Sequence, residues 1–117
     1  MATYSVNEAG VEHARKLIAA GKYNLDEEWT DAQPDAQEEN DDLDEEGWTA
    51  YGRWFLAISD EHTNQQTKSH YGFPFGDFAV LYRSALIAAE SRAGEWDHRD
   101  VERAARDLLT ELDKATG

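Results

Sequence analysis

A chain of 117 residues, 40% of them hydrophobic, is long enough for one domain with one core. It has no cysteine, which excludes disulfides, thiolate metal sites and cysteine nucleophiles, and no apolar run approaches the roughly 20 residues that span a bilayer. The formal charge of -14 is segregated: residues 26–46 hold 12 acidic residues and no Lys or Arg, the opposite of the cation cluster that binding to phosphates or anionic lipid requires.

The first residues, Met-Ala-Thr-Tyr-Ser-Val, have neither the basic region nor the apolar core of a signal peptide, so the expected location is cytoplasmic. Tyr4–Val6 reads as a short extended segment. Asn7 is a suitable N-cap for a helix to about Ala20, with Glu8 in its first turn and Val11, Ala14, Leu17 and Ile18 on one face. Gly21 falls where a left-handed C-terminal cap is needed.

From Asn24 to Gly47 helical periodicity fades. Pro34 interrupts the segment, like charges repel, and the sizeable apolar residues are Leu25, Trp29 and Leu43, so a solvated loop pinned at Trp29 is expected. Residues 47–59, GWTAYGRWFLAIS, fit a helical stripe through Trp48, Tyr51, Phe55 and Ile58 and fit strand alternation almost as well; helix is the preferred reading. Two glycines and a proline within residues 72–76 forbid a continuous element there. Asp77 is then expected to cap a helix to about Ala93 that buries Phe78, Tyr82, Ala85, Leu86, Ala89 and Ala93, with Gly94 ending it. Asp97 is expected to cap a last helix with Val101, Ala104, Ala105, Leu108 and Leu112 inward, the two helices forming an antiparallel hairpin. The expected fold is mainly α: three to four helices around one aromatic-rich core, a C-terminal helical hairpin, and a minor strand pair near Tyr4 and Trp54.

Chemistry-bearing patterns are sparse. His13, His62, His70 and His98 include no i, i+4 pair, the spacing that places two imidazoles on one helix face for a metal. Asp42, Asp44, Glu46 and Gly47 mimic the start of a calcium loop, but its twelfth position is Arg53, where a bidentate Glu is needed. Nucleophile elbows, phosphate-cradling loops and dinucleotide fingerprints are absent, so no catalytic residue, metal or cofactor is expected. The most distinctive segment is Lys68–Phe78, KSHYGFPFGDF. Its aromatic side chains suit a plug beneath the hairpin, and beside a cation they equally suit an interface.

Residues 68–112 resemble an uncharacterised helical module of microbial and phage-associated proteins, found in some cases with prohead-protease-like phage proteins. In it a Lys-x-x-Tyr-x-Phe-Pro-x-Gly turn precedes two helices. Lys68, Tyr71, Phe73, Pro74 and Gly76 match the turn, and Arg83 with Ala85–Ala89 matches the first helix. The resemblance implies shared architecture and no particular activity.

Two functional readings follow. The first is a non-enzymatic interaction module that binds a protein partner, with Lys68, His70, Tyr71, Phe73, Phe75 and Arg83 as candidate binding residues. It expects a contiguous exposed patch among Tyr71, Phe73 and Phe75. The second is an acidic decoy for a basic, nucleic-acid-binding protein, with Glu38, Glu39, Asp41, Asp42, Asp44, Glu45 and Glu46 as its surface. Neither involves direct nucleic-acid or membrane contact. The acidic excess, with Arg outnumbering Lys seven to four, also suits a protein adapted to high salt.

Overall fold

Val11, Ala14, Leu17 and Ile18 are buried together on one face of helix α1, Glu8–Ala19, in the computed structural model, which describes residues 3–117. Gly21 ends that helix with φ of 73°. The amide N–H of Gly21 donates to the Ile18 carbonyl and that of Lys22 to the Leu17 carbonyl, the double bond of a Schellman cap. Asn7 stands at the N-cap, but its side chain serves a longer-range purpose. Its Nδ2 donates to the carbonyls of Gly52 (2.8 Å) and Phe55 (3.0 Å), latching the start of α1 to a distant segment.

The acidic stretch folds as helix rather than loop. Trp29–Ala32 forms a single turn, α2, which buries Trp29. Ala36–Gly52 forms α3, opened by a complete capping box in which Glu38 N–H donates to Asp35 Oδ1 (2.9 Å) and Asp35 N–H to Glu38 Oε1 (3.4 Å). Carboxylates in the first turn also favour the helix dipole, offsetting part of their mutual repulsion. At Gly47 the backbone turns to φ 83° and ψ 175°, a conformation open to glycine, and this kink redirects the last turn so that Tyr51 enters the core.

Residues 47–59 divide between the two readings. Trp48–Gly52 closes α3, and Phe55–Ser59 is strand β3. The central strand β3 pairs antiparallel with β1 (Tyr4–Val6) on one side and β4 (Tyr71–Pro74) on the other. The expected pairing of the Tyr4 region thus exists, with Ser5 opposite Ile58. A second, parallel ladder of two residues joins β2 (Tyr23–Asn24) to β5 (Leu81–Tyr82). The fold is therefore mixed, five α-helices and two small sheets among the described residues, where a mainly helical bundle of three to four helices was the expectation.

The C-terminal hairpin is present, with shifted ends. Asp77 does not cap the helix; its Oδ1 accepts from Ala79 and Val80 N–H (3.0 and 2.9 Å) and its Oδ2 from the Tyr82 hydroxyl (2.8 Å), closing a turn before β5. Burial and the neighbouring Asp77 push the Tyr82 phenol up to about 12. Helix α4 starts at Arg83 and runs to Glu95, past Gly94, with Ala85, Leu86, Ala89 and Ala93 buried. Gly94 has α-helical neighbours on both sides, and a Cβ there would meet the end of the flexible Glu102 side chain, Oε2 at 2.7 Å. The bend is made by Asp97, at φ 59°, with His98 N–H donating to the Ala93 carbonyl (2.8 Å). Helix α5, Arg99–Thr116, then buries Val101, Ala105, Leu108 and Leu112, with Ala104 at the margin. No described helix is long and apolar enough to cross a membrane.

Candidate functional site

The Lys68–Phe78 segment sends its aromatic rings to three different places. Phe75 is in the core, fully buried against Trp54 at 5.7 Å between ring centroids. Tyr71 is half-buried against Phe55 (5.6 Å) and Tyr51 (5.7 Å), and its hydroxyl donates to the Gln65 carbonyl (2.7 Å). Burial raises its phenol above the ordinary tyrosine range. Phe73 points elsewhere, edge-on to Tyr4 (5.6 Å) and His98 (5.9 Å). The single patch expected from Tyr71, Phe73 and Phe75 is thus divided, because Phe73 takes φ of 60° and breaks the regular progress of β4.

The remaining turn residues act within the fold. His70 is buried, with Nδ1 2.6 Å from the His62 carbonyl, which makes Nδ1–H the donor. Lys68 Nζ lies 3.5 Å from Glu39 Oε1, while Glu39 Oε2 accepts from the Tyr51 hydroxyl at 3.1 Å. Desolvation and that carboxylate push the Tyr51 phenol far up. Arg83 lies apart from the turn and clamps α4 to α5 through Asp113, Nε–Oδ1 2.9 Å and Nη2–Oδ2 3.3 Å, which holds the Asp113 carboxyl below its usual range.

Phe73 belongs to an apolar groove of about 480 Å³ formed where β1 and β4 meet the bend of the hairpin. Tyr4, Phe73 and Pro74 supply the sheet side; Arg92, Trp96 and His98 supply the hairpin side. Gly72 lets the Tyr4 ring lie close against β4, since a Cβ there would stand 2.9 Å from Tyr4 Cε1 and the ring would have to shift. Trp96 is 60% exposed, the most exposed large hydrophobic residue among those described. Tyr4, Arg92, Trp96 and His98 were not candidates from sequence; they come from two segments about ninety residues apart, and the signal available was a lone tryptophan at a helix end.

A second cleft, also about 480 Å³, runs along α3. Glu38, Asp41, Asp42, Glu45 and Glu46 line it with His13, Arg53 and Trp54. The His13 ring stands edge-on to Trp54 at 4.8 Å; burial, then Arg53 and Lys16, lower its pKa. Asp42 is raised by burial and by repulsion from Glu46 and Glu45, and its inaccessible Oδ2 has no hydrogen-bond partner among the described residues. No three His, Asp or Glu side chains among the described residues are grouped to hold a metal ion. Because the folded state raises the Asp42 pKa, its favourable contribution is complete below about pH 4 and is lost as pH rises through the folded value. Asp42→Asn is therefore expected to raise the thermal midpoint by about 2 °C at pH 7, and the difference should vanish near pH 3.5, as read by circular-dichroism melts.

Compared with known protein families, curated proteins and solved structures, the chain shows no significant match.

Proposed function

We propose that the protein is a non-enzymatic binding module whose working surface is the groove between the Phe73 turn and the bend of the helical hairpin, and that this groove receives an apolar segment of a protein partner. The observation that carries the reading is Trp96. A fold that places Trp29 and Trp54 in its core leaves this ring 60% exposed beside Tyr4, Phe73 and Pro74. Aromatic side chains around a pocket are the usual anchors of interfaces. Of the three non-glycine residues in the left-handed region among those described, two, Phe73 (φ 60°) and Asp97 (φ 59°), flank this groove, and the third, Phe78 (φ 70°), lines the cleft along α3. Such backbone costs about 1–3 kcal/mol per residue and is retained where surrounding structure holds it for a purpose.

The test is recovery of partners from cells carrying tagged protein. A specific partner should fall at least tenfold with Trp96→Ala and with Phe73→Ala, while Leu25→Ala, an exposed apolar control outside the groove lining, retains it. A partner set indifferent to Trp96 and Phe73 contradicts the reading.

One observation favours a second reading, an acidic surface for a basic protein. Helix α3 sets Asp41, Asp44 and Glu45 outward at fixed helical spacing, which a phosphate mimic needs. Glu38 and Glu39 are committed to the capping box and to Tyr51 and Lys68. Neutralising Asp41, Asp44 and Glu45 together is the appropriate test, and unchanged binding of a salt-sensitive partner rejects this reading.

A further inference from the structure

Resting on the reading of the groove as the working surface, we infer that the partner segment it takes is acidic as well as aromatic: an aromatic side chain for the Tyr4–Phe73–Trp96 pocket with a carboxylate beside it for Arg92. The charge pattern carries this. In a chain with 25 Asp and Glu, the groove lining contains none, and its charged member is a guanidinium. Four of the other arginines are already matched: Arg15 with Glu111, Arg83 with Asp113, Arg99 with Asp97, and Arg106 with Glu90 and Glu102. Among the described residues no carboxylate lies within the 4.0 Å ion-pair distance of Arg92.

An unmatched guanidinium, exposed at the rim of an aromatic pocket, is complementary to a carboxylate through two parallel N–H bonds. His98, half-buried on the same side with its ring edge-on to Tyr4 (5.3 Å), adds a second group able to donate to an anion. The alternative occupant, a basic segment, would meet Arg92 in the groove; the nearby Asp97 at the bend is already paired with Arg99 (3.5 Å), and the clustered carboxylates lie on α3, around a different cleft. Long-range repulsion of an acidic segment by the net charge of -14 is screened over about 8 Å at physiological salt, so the contact-range pairing decides.

Three capped peptides with a central Phe test this, flanked respectively by Glu, Gln and Lys, titrated into the full chain at 0.15 M salt while the Trp96 indole N–H resonance is followed by NMR. The Glu peptide is expected to bind about fivefold more tightly than the Gln peptide. Arg92→Gln should remove that advantage. Arg103→Gln, which removes the same charge from an exposed site on α5 outside the groove lining, should preserve it. Equal binding of the Glu and Gln peptides, or tightest binding of the Lys peptide, overturns the inference and leaves the groove as an apolar site. An unmoved Trp96 resonance with all three peptides overturns the groove reading itself.

Discussion

Gly10→Ala is expected to lower stability by about 3 kcal/mol, a fall in the thermal midpoint of about 10 °C, although alanine is the better helix former. Gly10 lies where α1 crosses β3, and a Cβ there would fall inside the van der Waals surface of the Phe55 carbonyl oxygen. That oxygen is backbone, and it accepts from Asn7 Nδ2, so it has no low-cost direction in which to move. The helix must lift instead. Lifting α1 loosens Val11, Ala14, Leu17 and Ile18 and breaks the Asn7 latch to Gly52 and Phe55 together. Gly21→Ala is the natural comparison. Its φ of 73° disfavours alanine, but open space surrounds it, so a loss of about 1 kcal/mol is expected. Equal, small losses at both positions would contradict the close approach of α1 to the sheet.

Phe75→Ala is expected to cost about 3–5 kcal/mol, a large part of the 5–15 kcal/mol that stabilises a domain of this kind. The ring is fully buried and packs against Trp54, and the backbone around it is committed on both sides: its N–H donates to the Trp54 carbonyl (3.1 Å) and its carbonyl accepts from Tyr82 (2.9 Å). It joins the three-stranded sheet to the β5 ladder, so a cavity there weakens both. Phe75→Leu, which keeps most of the volume, should lose less than half as much in chemical denaturation. The contrast with Phe73 is informative. Two residues apart in one turn, Phe75 is expected to govern folding and Phe73 binding.

Helix α1 and the hairpin were legible in the sequence because their apolar residues recur at helical spacing and bury one face, and Gly21 marked an end by its conformational freedom. Helix α3 was less legible because apolar residues do not define it. Its core anchors, Leu43, Trp48 and Tyr51, are few, and the kink at Gly47 breaks their phase. The local signal that did exist was the pattern Asp35-x-x-Glu38 following Pro34, a capping box at a helix start. Strand β3 was half legible: residues 47–59 fitted strand alternation almost as well as a helical stripe, and because Phe55, Leu56 and Ala57 are all buried the alternation was not clean enough to outweigh the helix. Asp77 and Asp97 were read as helix caps because aspartate suits both caps and turns. Which role wins depended on Tyr82 and on the left-handed bend, neither visible from spacing. The groove was least legible of all. Tyr4, residues 72–74 and residues 92–98 have no local relation and meet through the β1–β3–β4 sheet and the α4–α5 bend.

The central claim, that the groove beside Trp96 is where a partner binds, is tested most directly by placing a photo-crosslinking amino acid at Glu95, exposed and next to Trp96, in living cells, with the same probe at Thr110 on the exposed outer side of α5 as the reference. The expected result is a discrete adduct from position 95, absent from position 110 and suppressed by Phe73→Ala. Adducts that are the same from both positions, or no adduct from position 95 in cells where the protein is folded and abundant, would contradict it.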